Sequence, residues 1–228
     1  MRPHAALVAL RRGTPRLNGG FVNHSVTVPG LPFDIAPEGP AVGTTWRVEN
    51  EALAITAGPR TDLFLDPARQ TSSAGADLLR LVGDVSGDFQ LTAHVEVDFK
   101  DTFDAGVLFV QAAEQTWAKL CFEYTPQGRP SVVSVVTRGD SDDANADEVS
   151  GNRTRLRISR SGRAFAFHAS HEGEWWRLIR YFSLGSLPDS AAVKVGFLAQ
   201  SPFGAGCTAV FDNIRFSPEP LAQLRDGS

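Results

Sequence analysis

The sequence predicts an all-β protein, an antiparallel sandwich or a closed barrel, and three observations carry that expectation. Apolar and polar residues alternate with period two, the alternating runs are short and numerous, and no stretch keeps a helical period beyond two turns. The clearest run, 89–99, puts Phe89, Leu91, Ala93, Val95, Val97 and Phe99 on one face. Gln90, Thr92, His94, Glu96 and Asp98 fall on the other. A helix would scatter these residues around its circumference, whereas a strand sends successive side chains to opposite faces.

The remaining elements follow in order. Runs at 45–48, 53–57, 63–66 and 78–82 precede the main one, and Gly87-Asp88 supplies the turn into it. Runs at 107–111, 117–124 and 132–138 follow, the last two joined across Pro126-Gln127-Gly128. Ser161-Gly162 separates 155–160 from 165–170, and Glu172-Gly173 separates the latter from 175–182. The runs 193–200 and 208–216 complete the set around Pro202-Phe203-Gly204. Their spacing has no fixed repeat, which disfavours a propeller or solenoid. No interior linker divides the chain. One sandwich domain is expected over 31–217, with a loosely ordered extension at 1–30 and a tail at 218–228.

Composition narrows the function classes. The 228 residues are 42% hydrophobic and 21% charged, with a formal charge of -4. These values fit a globular protein with a substantial core and disfavour a general nucleic-acid binder. No run of 18 apolar residues is present, so no transmembrane helix and no membrane partner are expected. A secretory leader is not evident, and the expected location is cytoplasmic. Cys121 and Cys207 lie in or beside apolar strand-like runs and read as two buried thiols, with one bridge between them as the alternative.

The run 117–124 mixes residue types in a way that plain core does not. Ala118, Leu120, Phe122 and Tyr124 make a core face, while Trp117, Lys119, Cys121 and Glu123 point the other way. A large aromatic, a cation and a carboxylate on one face suit a ligand that needs stacking and hydrogen bonds; a cross-strand ion pair beside a surface Trp is the plainer alternative. By the same counting, His168 leaves the face opposite Phe165 and Phe167, and Gln200 leaves the face opposite Val195 and Phe197. If the three strands share one sheet, Trp117, Lys119, Glu123, His168 and Gln200 line one concavity.

The acidic stretch 140–148 reads as a solvated hairpin loop at its rim. Asp143-x-Asn145-x-Asp147 has the spacing of the first three ligands of a calcium loop, but Glu148 stands where Gly is required and Thr154 where the closing Glu belongs. An EF-hand is therefore excluded, and calcium is left open only through another geometry. No other cofactor is expected: phosphate loop, dinucleotide fingerprint, Gly-x-Ser-x-Gly elbow and His-Glu-x-x-His are all missing.

Several stretches together resemble a known family. They are Trp117-Ala118-Lys119-Leu120-Cys121-Phe122-Glu123-Tyr124, Val132-Val133-Ser134-Val135-Val136-Thr137-Arg138-Gly139 and Ser141-Asp142-Asp143-Ala144-Asn145. Phe103-Asp104-Ala105-Gly106, Arg157-Ile158-Ser159-Arg160, Phe167-His168-Ala169-Ser170, Trp175-Trp176 and 195–202 extend the likeness, so that it covers 31–216. The pattern is similar to the family called domain of unknown function 1349, one of whose fungal members is named for regulation of enolase. The resemblance implies a concanavalin A-like jelly roll. It also singles out Trp117, Lys119, Glu123, Thr137, Asp142, Asp143, Asn145, His168, Gln200 and Ser201 as a ligand-binding set. His168 stands where many relatives are expected to carry Tyr.

Three functional expectations follow. The leading one is a binding module for a carbohydrate-like small molecule, with Trp117 stacking on a ring. The second is a glycoside-processing enzyme with Glu123 and Asp142 or Asp143 as acid and base. The third is a cytoplasmic protein-interaction regulator, using exposed aromatics such as Trp175 or Tyr181.

Overall fold

A computed structural model describes residues 25–69, the backbone of 72–74, and residues 78–171 and 175–228. Of the extension expected at 1–30, residues 1–24 lie outside the described residues. Two seven-stranded antiparallel sheets pack face to face. The first runs in the order β1 (Ala36–Glu38), β6 (Arg80–Val85), β15 (Val193–Gln200), β8 (Ala105–Ala113), β9 (Thr116–Tyr124), β10 (Pro130–Arg138), β11 (Asp140–Glu148). The second runs β14 (Arg177–Ser183), β13 (Ala164–Ser170), β12 (Arg153–Ser161), β7 (Phe89–Val97), β16 (Thr208–Ser217), β3 (Ala52–Thr56), β2 (Thr45–Glu49). A small hairpin of β4 (Leu63–Leu65) and β5 (Ser72–Ala74) stands apart. No helix among the described residues is long and apolar enough to cross a membrane.

The period-two pattern translates directly into layers. In β7 the odd residues from Phe89 to Val97 are buried and the even ones half-buried. They meet Ala118, Leu120 and Phe122 of β9 and Val195, Phe197 and Ala199 of β15 in one core between the sheets. Gly196 lets β15 approach β6, because a Cβ there would lie 1.9 Å from the Leu81 carbonyl oxygen.

The acidic stretch is a strand, not the loop its composition suggests. Asp140–Glu148 forms β11, pairing with β10 through contacts such as Val135 with Asp143 and Val133 with Asn145. Hydrophobic alternation is absent because β11 is an edge strand exposed over most of its length. Carboxylates along such an edge oppose pairing with another chain.

Both outer faces are partly covered, and this decides where the site lies. The segment around β4 folds over the first sheet, where Leu63, Leu78, Phe109, Trp117, Cys121 and Leu198 make a second apolar cluster. Over the second sheet lies the segment 218–228, whose Leu221 and Leu224 pack on Ala166. Cys121 and Cys207 are buried free thiols, and burial pushes the Cys207 thiol up to about 12.

Candidate functional site

A cavity of about 220 Å³ opens on the outer face of the first sheet. Its polar lining is Lys119 and Glu123 from β9, Asp143 from β11, Gln200 from the end of β15, and Asp62 from the covering segment. Phe64, Phe103, Pro202 and Phe203 form the walls, with Val133 and Val135 of β10. The strand period puts Lys119 and Glu123 on this face, and the β8–β9 register sets Glu123 opposite Ala105.

The polar groups form a connected set. Lys119 is only 2% exposed; its Nζ donates to Gln200 Oε1 at 3.0 Å and lies 3.7 Å from Asp62 Oδ1. Gln200 Nε2 lies 3.5 Å from the Phe103 carbonyl oxygen. Glu123 is 8% exposed, and among the described residues no group hydrogen-bonds to its carboxyl. Burial raises its pKa to about 8 against the opposing pull of Lys119, with Asp62 and Asp143 adding to the rise. The group therefore keeps its proton at neutral pH and is a hydrogen-bond donor as well as an acceptor.

The aromatic wall is held under strain. Phe103 has φ +67, a conformation that costs a bulky residue about 1–3 kcal/mol. Its N–H donates to the Tyr124 carbonyl at 2.7 Å, and its ring meets Phe203 edge-on at 5.4 Å. The neighbouring Asp104 carboxylate is fully buried. It accepts from the Lys100 and Asp101 amides at 2.9 Å and from Ser201 Oγ at 2.6 Å, tying the 98–104 loop to the strand end that carries Gln200.

Four of the residues picked out in the sequence thus meet here: Lys119, Glu123, Asp143 and Gln200. The others do not line the cavity. Trp117 is 1% exposed beneath the covering segment, where it cannot stack on a ligand; it lies 5.7 Å below Lys119 Nζ and supports it by a cation–π contact. Thr137 and Ser201 are structural braces. Thr137 Oγ1 bonds Ser141 Oγ at 2.8 Å, Ser141 accepts from the Leu65 amide, and the Ser201 amide reaches the Thr61 carbonyl at 3.1 Å. Asp142 points to the opposite face of β11 and pairs with Arg180 at 3.0 Å, while Asn145 is exposed beyond the cavity.

His168 is the clearest departure from the expected geometry. It stands on β13 in the second sheet, whereas Lys119 stands in the first, so the two emerge on opposite sides of the sandwich. The single concavity expected from five side chains is corrected on this point. His168 is buried under the 218–228 segment and its Nε2–H donates to the Leu224 carbonyl at 2.9 Å. Burial, aided by the charge of Arg157, lowers its pKa to about 4. An unfolded imidazole titrates near 6.5, so the native state binds fewer protons between these values. Stability from this group is complete above pH 6.5 and is lost as pH falls toward 4, by about 3 kcal/mol. Urea denaturation at pH 7 and 4.5 should show this acid loss in the wild type and a smaller one in His168→Gln.

The calcium spacing also dissolves on inspection. Same-face residues of a strand lie about 6.8 Å apart, so Asp143, Asn145 and Asp147 of β11 do not converge on one ion. Asp147 is engaged by Arg177 and by His171, and no metal-binding group of three His, Cys, Asp or Glu occurs among the described residues.

Phe103, Phe203, Asp62 and Phe64 were not picked out from the sequence. Phe203 sits in a turn signal next to Gln200-Ser201, a place where ligand contacts are common. Nothing local marks Phe103 as left-handed or brings Asp62 to Lys119.

The two packed seven-stranded antiparallel sheets form a concanavalin A-like jelly roll. Residues 42–219 match the family described as "Protein of unknown function (DUF1349)", and the chain belongs to it. A functionally unknown protein from Saccharomyces cerevisiae is similar in structure, with a TM-score of 0.69 and 19% identity, over 80% of this chain and 100% of that one. The GH43 protein BlXynB of Bacillus licheniformis is similar at a TM-score of 0.60 and 15% identity, over 77% of this chain but only 35% of its own. The exoplasmic/lumenal domain of VIP36, in a form bound to Ca2+ and Man3GlcNAc, matches at a TM-score of 0.53 and 10% identity over 88% of this chain and 90% of that one. No curated protein matches the chain. At these identities the structural likeness concerns the fold.

Proposed function

We propose that the chain binds a neutral, carbohydrate-like small molecule in the Lys119–Glu123 cavity. One observation carries the reading: a buried ammonium and a buried carboxyl face the same open space as an exposed aromatic ring. Burying the ammonium costs several kcal/mol, burying an unbonded neutral carboxyl costs about 1–3 kcal/mol, and Glu123 recovers none of it through a protein hydrogen bond. Hydroxyls of a ligand would satisfy it. Lys119 donates, Asp62 and Asp143 accept, and Gln200 does both, which is the mixture a polyol requires. A cavity of ~150 Å³ holds a benzene ring, so about 220 Å³ suits one substituted six-membered ring. The two aspartates disfavour an anion. The GH43 protein and the Man3GlcNAc-bound VIP36 domain agree with a sugar ligand without specifying one.

Phe203 takes the stacking role first expected of Trp117. It is 67% exposed, so Phe203→Ala should change stability by less than about 0.5 kcal/mol. Loss of ring contact should weaken binding up to about tenfold. Calorimetric titration with glucose, galactose, mannose, xylose and arabinose, with and without calcium, checks this. Calcium-independent heat from at least one sugar, reduced in Phe203→Ala, is the expected result. Silence across the panel would refute the proposal.

The protonated state of Glu123 favours one second reading, a glycoside-processing enzyme in which Glu123 is the acid and Asp143 the base. Asp142 has no part in it, being paired with Arg180 away from the cavity. Glu123→Gln separates the two readings. An amide keeps a neutral donor and acceptor, so a binding module retains affinity, whereas an enzyme loses turnover on alkyl glycosides and oligosaccharides, whose leaving oxygen needs the proton the amide cannot give.

A further inference from the structure

The outer face of the second sheet carries a second constellation, which the cavity does not use. Arg157 of β12 is 4% exposed, and its guanidinium lies 4.3 Å from the Trp176 ring centre. No carboxylate pairs with it among the described residues. Its Nη2 donates to the Gly227 carbonyl at 2.7 Å, but Nε, on the same edge of the guanidinium, is buried without a partner. That edge is the fork that binds a carboxylate with two parallel hydrogen bonds, and here one carbonyl oxygen fills half of it. Beside it, the His168 Nε2–H, a second donor, is held by the Leu224 carbonyl of the same segment.

The occupant is held by shape. Gly227 has φ +79, and a Cβ there would lie 2.6 Å from Arg157 Nη2 and 2.8 Å from Trp176 Cβ. The slot thus accepts a flat peptide group and little more. A planar carboxylate matches it better than a tetrahedral phosphate. The family match ends at residue 219, so the slot lies within the matched region and Gly227 lies outside it.

We propose that Arg157, His168 and Trp176 form a carboxylate-binding site, and that the segment 218–228 occupies it as an internal stand-in that a carboxylate ligand displaces. Two variants open the slot without touching Arg157: Gly227→Val, by collision, and Leu221→Ser with Leu224→Ser, by loss of the apolar anchors. The probes are acetate and glucuronate, with glucose and inorganic phosphate as controls at equal ionic strength.

Calorimetry should give at least tenfold tighter carboxylate binding in either opened variant than in the wild type. Adding Arg157→Gln should abolish it. In the wild type, saturating carboxylate should speed amide hydrogen exchange in 218–228 at least threefold, because a ligand and a segment that compete must each weaken the other. Phosphate and glucose should do neither. Folded opened variants that bind no carboxylate would overturn the proposal. So would unfolding of both variants, since the segment would then be part of the fold rather than a displaceable cover.

Discussion

Asp104→Ala is expected to cost about 3–5 kcal/mol of stability and to remove ligand binding at the Lys119–Glu123 cavity. The carboxylate is fully buried and serves three donors at once: the Lys100 and Asp101 amides and the Ser201 hydroxyl. Alanine leaves all three without a partner. It also unties the loop that holds Phe103 at φ +67 from the strand end that presents Gln200. Asp104→Asn keeps the volume and one acceptor oxygen and should cost less. Urea denaturation measures the stability loss, and sugar titration of the still-folded fraction at low temperature measures the functional one. A fully stable Asp104→Ala protein would show that the brace is dispensable.

Glu123→Gln should do the opposite and stabilise the protein at alkaline pH. In the native state the carboxyl keeps its proton up to about 8, whereas an unfolded glutamate loses it near 4.5. Between those values the native state binds more protons than the unfolded state, so stability falls as pH rises. Each tenfold change in proton affinity is ~1.4 kcal/mol, which makes the full loss about 3–5 kcal/mol. The amide does not titrate and avoids it. Denaturation midpoints of the two proteins should diverge from pH 5 to about pH 8 and then level off, with the variant higher. A residue whose replacement stabilises the fold is one retained for something other than stability.

Much of the fold was legible because alternation is a local signal. The run 89–99 became β7 with the expected face inward, and β9 separated Ala118, Leu120 and Phe122 from Trp117, Lys119 and Glu123 as counted. The same counting missed β11, because an edge strand exposed over most of its length has no apolar rhythm to count. Period two also says which face a residue takes but not which sheet it belongs to. A sandwich has two outer faces, so Lys119 and His168 could both point outward and still lie on opposite sides. Trp117 was misread for a different reason. Its face is outer with respect to the core, yet the segment carrying Leu63 and Leu78 returns from far away in sequence to cover it. Asp104 sits in a loop with no period, and its burial arises only when Ser201 arrives from the end of β15.

The most direct measurement is a calorimetric titration of the wild type and Glu123→Gln, at pH 6 and pH 9.5, with the neutral pyranose that gives heat. A protonated Glu123 donating to a ligand oxygen predicts that wild-type affinity falls at least tenfold between the two pH values, while the variant binds alike at both. Wild-type affinity that is the same at both pH values, or no heat from any neutral sugar at either, would contradict it.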